Sequence, residues 1–320
     1  MSTAESYLAH ACYGKDKVRV LRVVREGAWH TVVEYYVQAL LEGDIDASYT
    51  EADNRVVVAT DSIKNITYYL AKTSPHVLHP ERFALHLGTH LVCKYAHIRK
   101  AHVAVERLRW TRIPVRGQAH PHAFVRDGEE RRVASVEVDA TAGKDKIVAT
   151  VTSGLTGLLV LKSTGSAFEN FVRDEYTTLV EVDDRIFSTA VDVSYVFAPV
   201  HVVPGAEAGR AGVSVEEAEE KEAGSAWDGE RVAEAVRGVT LEVFAQDESA
   251  SVQATLYKMA ARIVAENARV QSVTYKLPNK HYVPVDMRYI GLDNTTPANA
   301  EVFLPLDTPS GLITATIARK

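Results

Sequence analysis

The 320-residue chain predicts an α+β protein built from two similar halves that meet near residue 143. Three observations carry this reading. Long valine-rich runs alternate apolar and polar side chains, as half-buried antiparallel strands do. Four stretches instead repeat their apolar residues at helical spacing and fall into two pairs. Finally, the order strands, two helices, strands occurs twice, a repeat of architecture rather than of sequence.

In the first half (1–143), "KVRVLRVV" (17–24) and "HTVVEYYVQALLEG" (30–43) flank a turn-like stretch and read as a hairpin. "RVVVAT" (55–60) reads as a third strand running into a helix along which Ile63, Ile66 and Leu70 recur. Thr60 and Asp61 sit where its N-cap belongs. Pro80 suits the first turn of a second helix, with Phe83, Leu87, Leu91 and Ile98 on its stripe. "HVAVERLRWTRI" (102–113) and "RVASVEVDA" (132–140) are strands, and "GKDK" (143–146) reads as a linker.

The second half (144–320) opens with strands at 146–164 and 184–198. One helix (229–246) aligns Val232, Val236, Val239 and Val243; the next (249–267) aligns Val252, Leu256, Met259 and Ile263. "VQSVTYKL", "AEVFLPL" and "GLITATIAR" close it as strands. Between Pro204 and Ala226 the chain is rich in Gly, Ala and Glu, which predicts a mobile acidic insertion at about 204–226. Valines on both phases of some strands, as at Val56 to Val58, predict sheets covered on both faces. Sheets closing edge to edge into an oligomeric barrel would achieve that.

With 46% hydrophobic and 24% charged residues, the composition is that of an ordinary globular protein. A net charge of -6 argues against general nucleic-acid binding, which needs a basic face. Two cysteines, Cys12 and Cys93, build neither a disulfide framework nor a cysteine-rich metal site. No secretory leader, membrane-length apolar run or Ser-Lys-Leu tail is visible, so a cytoplasmic location without a membrane partner is expected.

Twelve histidines invite a metal, yet His86 with His90, and His120 with His122, have no third ligand at a recognisable spacing, so no metal is expected. Phosphate-binding glycine loops and the Gly-x-Ser-x-Gly elbow are missing. Three segments remain that local structure explains incompletely. "VVVATDSIKN" brings Thr60, Asp61 and Lys64 to a helix N-terminus, a place that favours anions. "LKSTGSAFENFVRDEYTTLVEVDDRIFST" (161–189) mixes Phe168 with Arg185, a pairing suited to a planar anionic ring. In "TYKLPNKHYVPVD" (274–286), Pro278 interrupts a strand by ending its pairing or creating a bulge. That bend would turn Asn279 and His281 to one side, with Lys280 pointing away.

These segments, with "YGKDKVRV" (13–20), "LGTH" (87–90), "HPHAFVRDGEE" (120–130), "RDEYTTL" (173–179), "ASVQATLYKMA" (250–260) and "LPNKHY" (277–282), resemble the urate oxidase (uricase) family along the whole chain. The ending "IARK" makes the resemblance one to the bacterial type. It implies two tandem tunnelling-fold (ββααββ) domains, antiparallel sheets with helices on one face, and a homotetramer whose sheets close into a barrel tunnel. It also implies oxidation of urate by O₂ and water, without cofactor, to 5-hydroxyisourate and hydrogen peroxide.

By the same resemblance Lys15, Thr60 and His281 form a proton relay. Arg185 and Gln253 hold opposite edges of the purine, Phe168 stacks on it, and the backbone at Val252 and Asp61 completes the perimeter. Asn279 holds O₂ or water above the ring. Lys15 and Thr60 come from one subunit and the other residues from its neighbour. Two alternatives stay open: another tunnelling-fold purine or pterin enzyme, and a non-catalytic purine-binding relative.

Overall fold

The computed structural model describes residues 6–202 and 228–320. The expected 204–226 insertion therefore lies outside the described residues. The chain forms two compact units: Met1–Gly154 with Val196–Val232, and Leu155–Tyr195 with Ala233–Lys320. The boundaries cut through two strands and one helix.

The first unit begins with the hairpin β1 (Tyr13–Glu26) and β2 (Trp29–Gly43), turned at Gly27 in the left-handed region (φ 61°). A one-turn helix α1 (Asp46–Thr50) leads to α2 (Thr60–Thr73) and α3 (Pro80–Lys94). β3 (Ile98–Val115) pairs antiparallel with β2, and β4 (Gln118–Asp139) with β3. The start of β5 (Ile147–Lys162) pairs with the short β7 (Val200–Val202). In the second unit the later part of β5 neighbours β6 (Phe187–Phe197). Helices α4 (Gly229–Gln246) and α5 (Val252–Glu266) precede β8 (Val270–Pro284), which pairs antiparallel with β9 (Phe303–Ala318).

Helices α2, α3 and α5 cover strands with their apolar stripes. α2 packs on β1, and α3 on β3 and β4. Phe83, Leu87 and Leu91 of α3 are fully buried, a gain of about 2 kcal/mol each before ordering costs. Gly88 is needed where α3 crosses β4, because a Cβ there would lie 2.7 Å from Val138 Cγ2. In the second unit α5 buries Val252, Leu256, Met259 and Ile263 against β8 and β9, and Tyr275 donates to or accepts from Thr240 at 2.6 Å. The predicted α+β class with antiparallel strands and helices on one face is therefore realised.

The first unit also buries a charge cluster. Glu81, at 0% exposure on α3, accepts two hydrogen bonds from Arg132 Nη2 at 2.8 Å and one from Ser153 Oγ. Arg132 also reaches Glu230 and the Gly229 carbonyl at the start of α4. Among the described residues no helix is long and apolar enough to cross a membrane.

Several local expectations change. "RVVVAT" is no strand: Asn54–Val56 is a single 3-10 turn, and 57–59 is irregular. The Asp53 carboxylate caps that turn through the Arg55 N–H at 3.0 Å, and turn chemistry overrides the β-propensity of the valines. The N-cap of α2 is Ala59, not Thr60 or Asp61, which lie in the first turn. α3 ends at Lys94, so Ile98 begins β3 instead of extending the stripe. The last two predicted strands are one, β9. Pairing continues through Pro278, opposite Leu312, and the bulge falls just after it, between Asn279 and His281.

Candidate active site

The first unit supplies Lys15, Thr60 and Asp61. Lys15 sits half-buried on β1 opposite Ala39, immediately before a bulge that runs to Val18 and takes Lys17 to φ 53°. Gly14 beside it presses on β2; a Cβ there would lie 1.9 Å from the Ala39 carbonyl oxygen. Thr60 opens α2, where unpaired N–H groups and the helix dipole favour negative charge. The exposed Asp61 carboxylate takes Lys64 Nζ at 2.5 Å and Asn65 Nδ2 at 2.9 Å. Lys64 chiefly, with a smaller contribution from Lys15, holds the Asp61 carboxyl below the usual range. The positive charge of Lys15 is thus felt at the first turn of α2.

The irregular lead into Thr60 is held by two side chains that pattern reading missed. The Val58 N–H donates to the Tyr13 hydroxyl at 2.6 Å, and His97 Nε2–H donates to the Val56 carbonyl at 3.0 Å. Tyr13 lies inside the "YGKDKVRV" segment already singled out, but a tyrosine in a strand gives no sign of where its hydroxyl goes.

The second unit supplies the other six. Phe168 stacks on Phe171, with centroids 4.9 Å apart and planes 12° apart, and the Arg185 guanidinium lies 5.1 Å from the Phe168 centroid. Burial pulls the Arg185 pKa down, and no carboxylate partner for it occurs among the described residues. A half-buried guanidinium beside an aromatic ring, without an internal counter-ion, is poised for an external anion. Phe168 is fixed by paired backbone bonds with Val182 at 2.8 and 3.1 Å.

Asp184, next to Arg185, accepts from the Gly165 N–H at 2.7 Å and the Thr164 hydroxyl at 2.5 Å, which fastens the Phe168 loop beside the arginine. The same loop is tied to the approach of α5: Ser249 N–H donates to Gly165 O at 3.0 Å, and Ala167 N–H to Ser249 O at 2.8 Å. Ser251 caps α5 by accepting from Ala254 N–H at 3.1 Å, so buried Val252 and exposed Gln253 occupy its first turn. Phe168, Arg185, Val252 and Gln253 are thereby linked through one hydrogen-bonded framework. Asn279 is 9% exposed, whereas His281 beyond the bulge is exposed. The simple same-side alternation expected of them is thus interrupted. Lys280 turns to Asp307 at 2.5 Å.

The histidine pairs have other partners. His86 Nδ1 meets Ser74 Oγ at 2.8 Å in the core, burial lowers the His90 pKa, and His120 contacts His122 edge-on at 4.6 Å. Among the described residues no three His, Cys, Asp or Glu side chains converge as a metal site.

On an antiparallel α+β scaffold, one framework thus carries a guanidinium with no carboxylate partner among the described residues, an aromatic face and the N-terminus of α5. Comparison with known proteins narrows this. The uricase family model matches residues 11–137 and 151–314. The uricases of Emericella nidulans and Aspergillus flavus are each 47% identical, covering 98% and 97% of this chain and 98% and 96% of theirs. The crystal structure of uricase from Arthrobacter globiformis superposes with a TM-score of 0.82 at 33% identity, covering 99% of this chain and 96% of that one. The chain belongs to the uricase family. The fungal relatives share more identity with it than this bacterial one, so the bacterial type read from "IARK" has no support in these similarities.

Proposed function

We propose that this protein oxidises urate with O₂ and water to 5-hydroxyisourate and hydrogen peroxide, using no metal or organic cofactor. The observation that carries the reading is membership of the uricase family over nearly the whole chain. Deprotonated urate is electron-rich enough to reduce O₂, so the protein has to bind, deprotonate and orient it. Two electrons leave the purine, O₂ takes them with two protons to give hydrogen peroxide, and water supplies the new C5 hydroxyl.

Arg185 grips the anionic edge with its planar fork and Gln253 pairs with the opposite edge. Phe168 stacks on the ring, and the backbone N–H groups of Val252 and Asp61 close the perimeter at helix starts. Asn279 holds O₂, then water, above the plane. Lys15, Thr60 and His281 pass the proton. That Arg185 has no carboxylate partner among the described residues supports its role, as does the electrostatic reach of Lys15 to the first turn of α2.

The reading includes two tandem ββααββ domains, 1–143 and 144–320, and a homotetramer whose sheets close into a tunnel. Each active site then takes Lys15 and Thr60 from one subunit and the remaining residues from its neighbour. The two cysteines are free thiols, in keeping with a reducing cytoplasm. The test is direct: purified, metal-free protein is mixed with urate, and loss of ultraviolet absorbance is followed with O₂ uptake and peroxide formation. Equimolar O₂ consumption and peroxide release are expected; absence of turnover sinks the proposal.

A further inference from the structure

We propose that the Tyr13 hydroxyl is a positioning group for the reaction, one that sets Thr60 against Lys15 by holding the Val58 N–H. The inference rests on the urate-oxidising reading and concerns the assembly of its proton relay. Tyr13 and Lys15 are two residues apart on β1, before the bulge, and so project from one side of the strand. Val58 and Thr60 are likewise two residues apart. The hydroxyl of Tyr13 accepts from Val58 N–H at 2.6 Å, which fastens the first member of each pair; among the second members, the charge of Lys15 is felt at Asp61, the residue next to Thr60.

The need for such a hook is physical. Residues 57–59 belong to no helix or strand, so no ladder fixes the backbone that delivers Thr60. On the other side, the β1–β2 register slips straight after Lys15. Lys15 and Thr60 therefore both sit where regular pairing stops. His97 provides the second restraint, donating to the Val56 carbonyl at 3.0 Å from the start of β3. Burial pushes the Tyr13 phenol up, so it stays neutral and keeps its acceptor oxygen at working pH. Tyr13 touches no reacting atom in this scheme; it acts through Thr60.

Tyr13→Phe keeps the ring and deletes the hook. Displacement of a catalytic group by about 1 Å costs up to roughly 100-fold in rate, and kcat is expected to fall about tenfold or more. KM for urate is expected to stay within about twofold, because the purine-gripping residues are elsewhere. The decisive arm is a double-mutant cycle. In a Thr60→Ala background, Tyr13→Phe should lower kcat no further, since there is no hydroxyl left to position. His97→Leu, which removes the donor to Val56, should show the same dependence on Thr60. A wild-type kcat in Tyr13→Phe overturns the proposal, as does an equal loss with and without the Thr60 hydroxyl. Failure of the wild-type protein to oxidise urate would instead strike at the functional reading, so the two failures are distinguishable.

Discussion

At the scale of single residues, chemistry depends on which side chains are left without an internal partner. Among the described residues Arg185 has an aromatic neighbour and no acid, whereas Arg132, Arg99 and Arg19 are each committed to carboxylates. Arg185→Lys keeps the charge but loses the planar fork, and KM for urate should rise by about tenfold or more with a smaller change in kcat. Steady-state kinetics against urate check this. Thr60→Ala and Lys15→Met should show the opposite split, a large fall in kcat with near-normal binding of a non-oxidisable purine analogue, measured by calorimetry. Gly14→Ala tests the backbone beneath Lys15: its methyl would meet the Ala39 carbonyl, so β1 must move, and turnover should fall with it.

At the scale of elements, caps and buried charges set where helices begin and how firmly they dock. Ser251→Ala removes the N-cap of α5 and should cost about 1 kcal/mol in thermal or denaturant melts. Arg132→Met leaves the Glu81 carboxylate buried beside only a serine hydroxyl, and about 3–5 kcal/mol should be lost. Glu230, at the start of α4, ties acid stability to the same cluster. Burial works to raise its pKa, but His79, Arg132 and Arg107 outweigh that and lower it from the ordinary 4.5 to about 2. Its contribution is therefore complete above the unfolded-state value and is lost as pH falls through about 2. Acid melts between about pH 5 and 2 should be shallower for Glu230→Gln than for wild type. Helix existence was readable because stripes such as Leu256, Met259 and Ile263 repeat strongly. The 55–60 error was not avoidable from pattern alone, since three consecutive valines outvote an Asp–Asn pair in any local reading. The bulge after Pro278 is similar: proline marks a disturbance, but β9 decides which residue absorbs it.

At the scale of the whole molecule, the proposed catalytic residues fall into two groups, one in each compact unit. Family motifs made both groups legible, while their supports, Tyr13, His97, Asp184 and Ser249, were invisible because each acts through a distant backbone group. If sites form between subunits, specific activity should fall on dilution in step with tetramer dissociation, followed by light scattering or sedimentation. Mixing Lys15→Met with Asn279→Ala protein should then restore activity, because some sites in the hybrid take an intact half from each parent.

β9 follows α5 and β8 as the last described strand of its unit; among the described residues it pairs only with β8, and it is exposed over most of its length. Its first half carries Pro305, Asp307 and Pro309, which resist pairing with a stray strand. Its second half, Gly311 to Ala318, has neither charge nor proline and is rich in β-branched residues. A newly made chain therefore carries its own hazard in this strand: until a proper partner covers that edge, another copy's identical edge can. Yield of active protein should fall, and insoluble aggregate grow, as synthesis outpaces assembly.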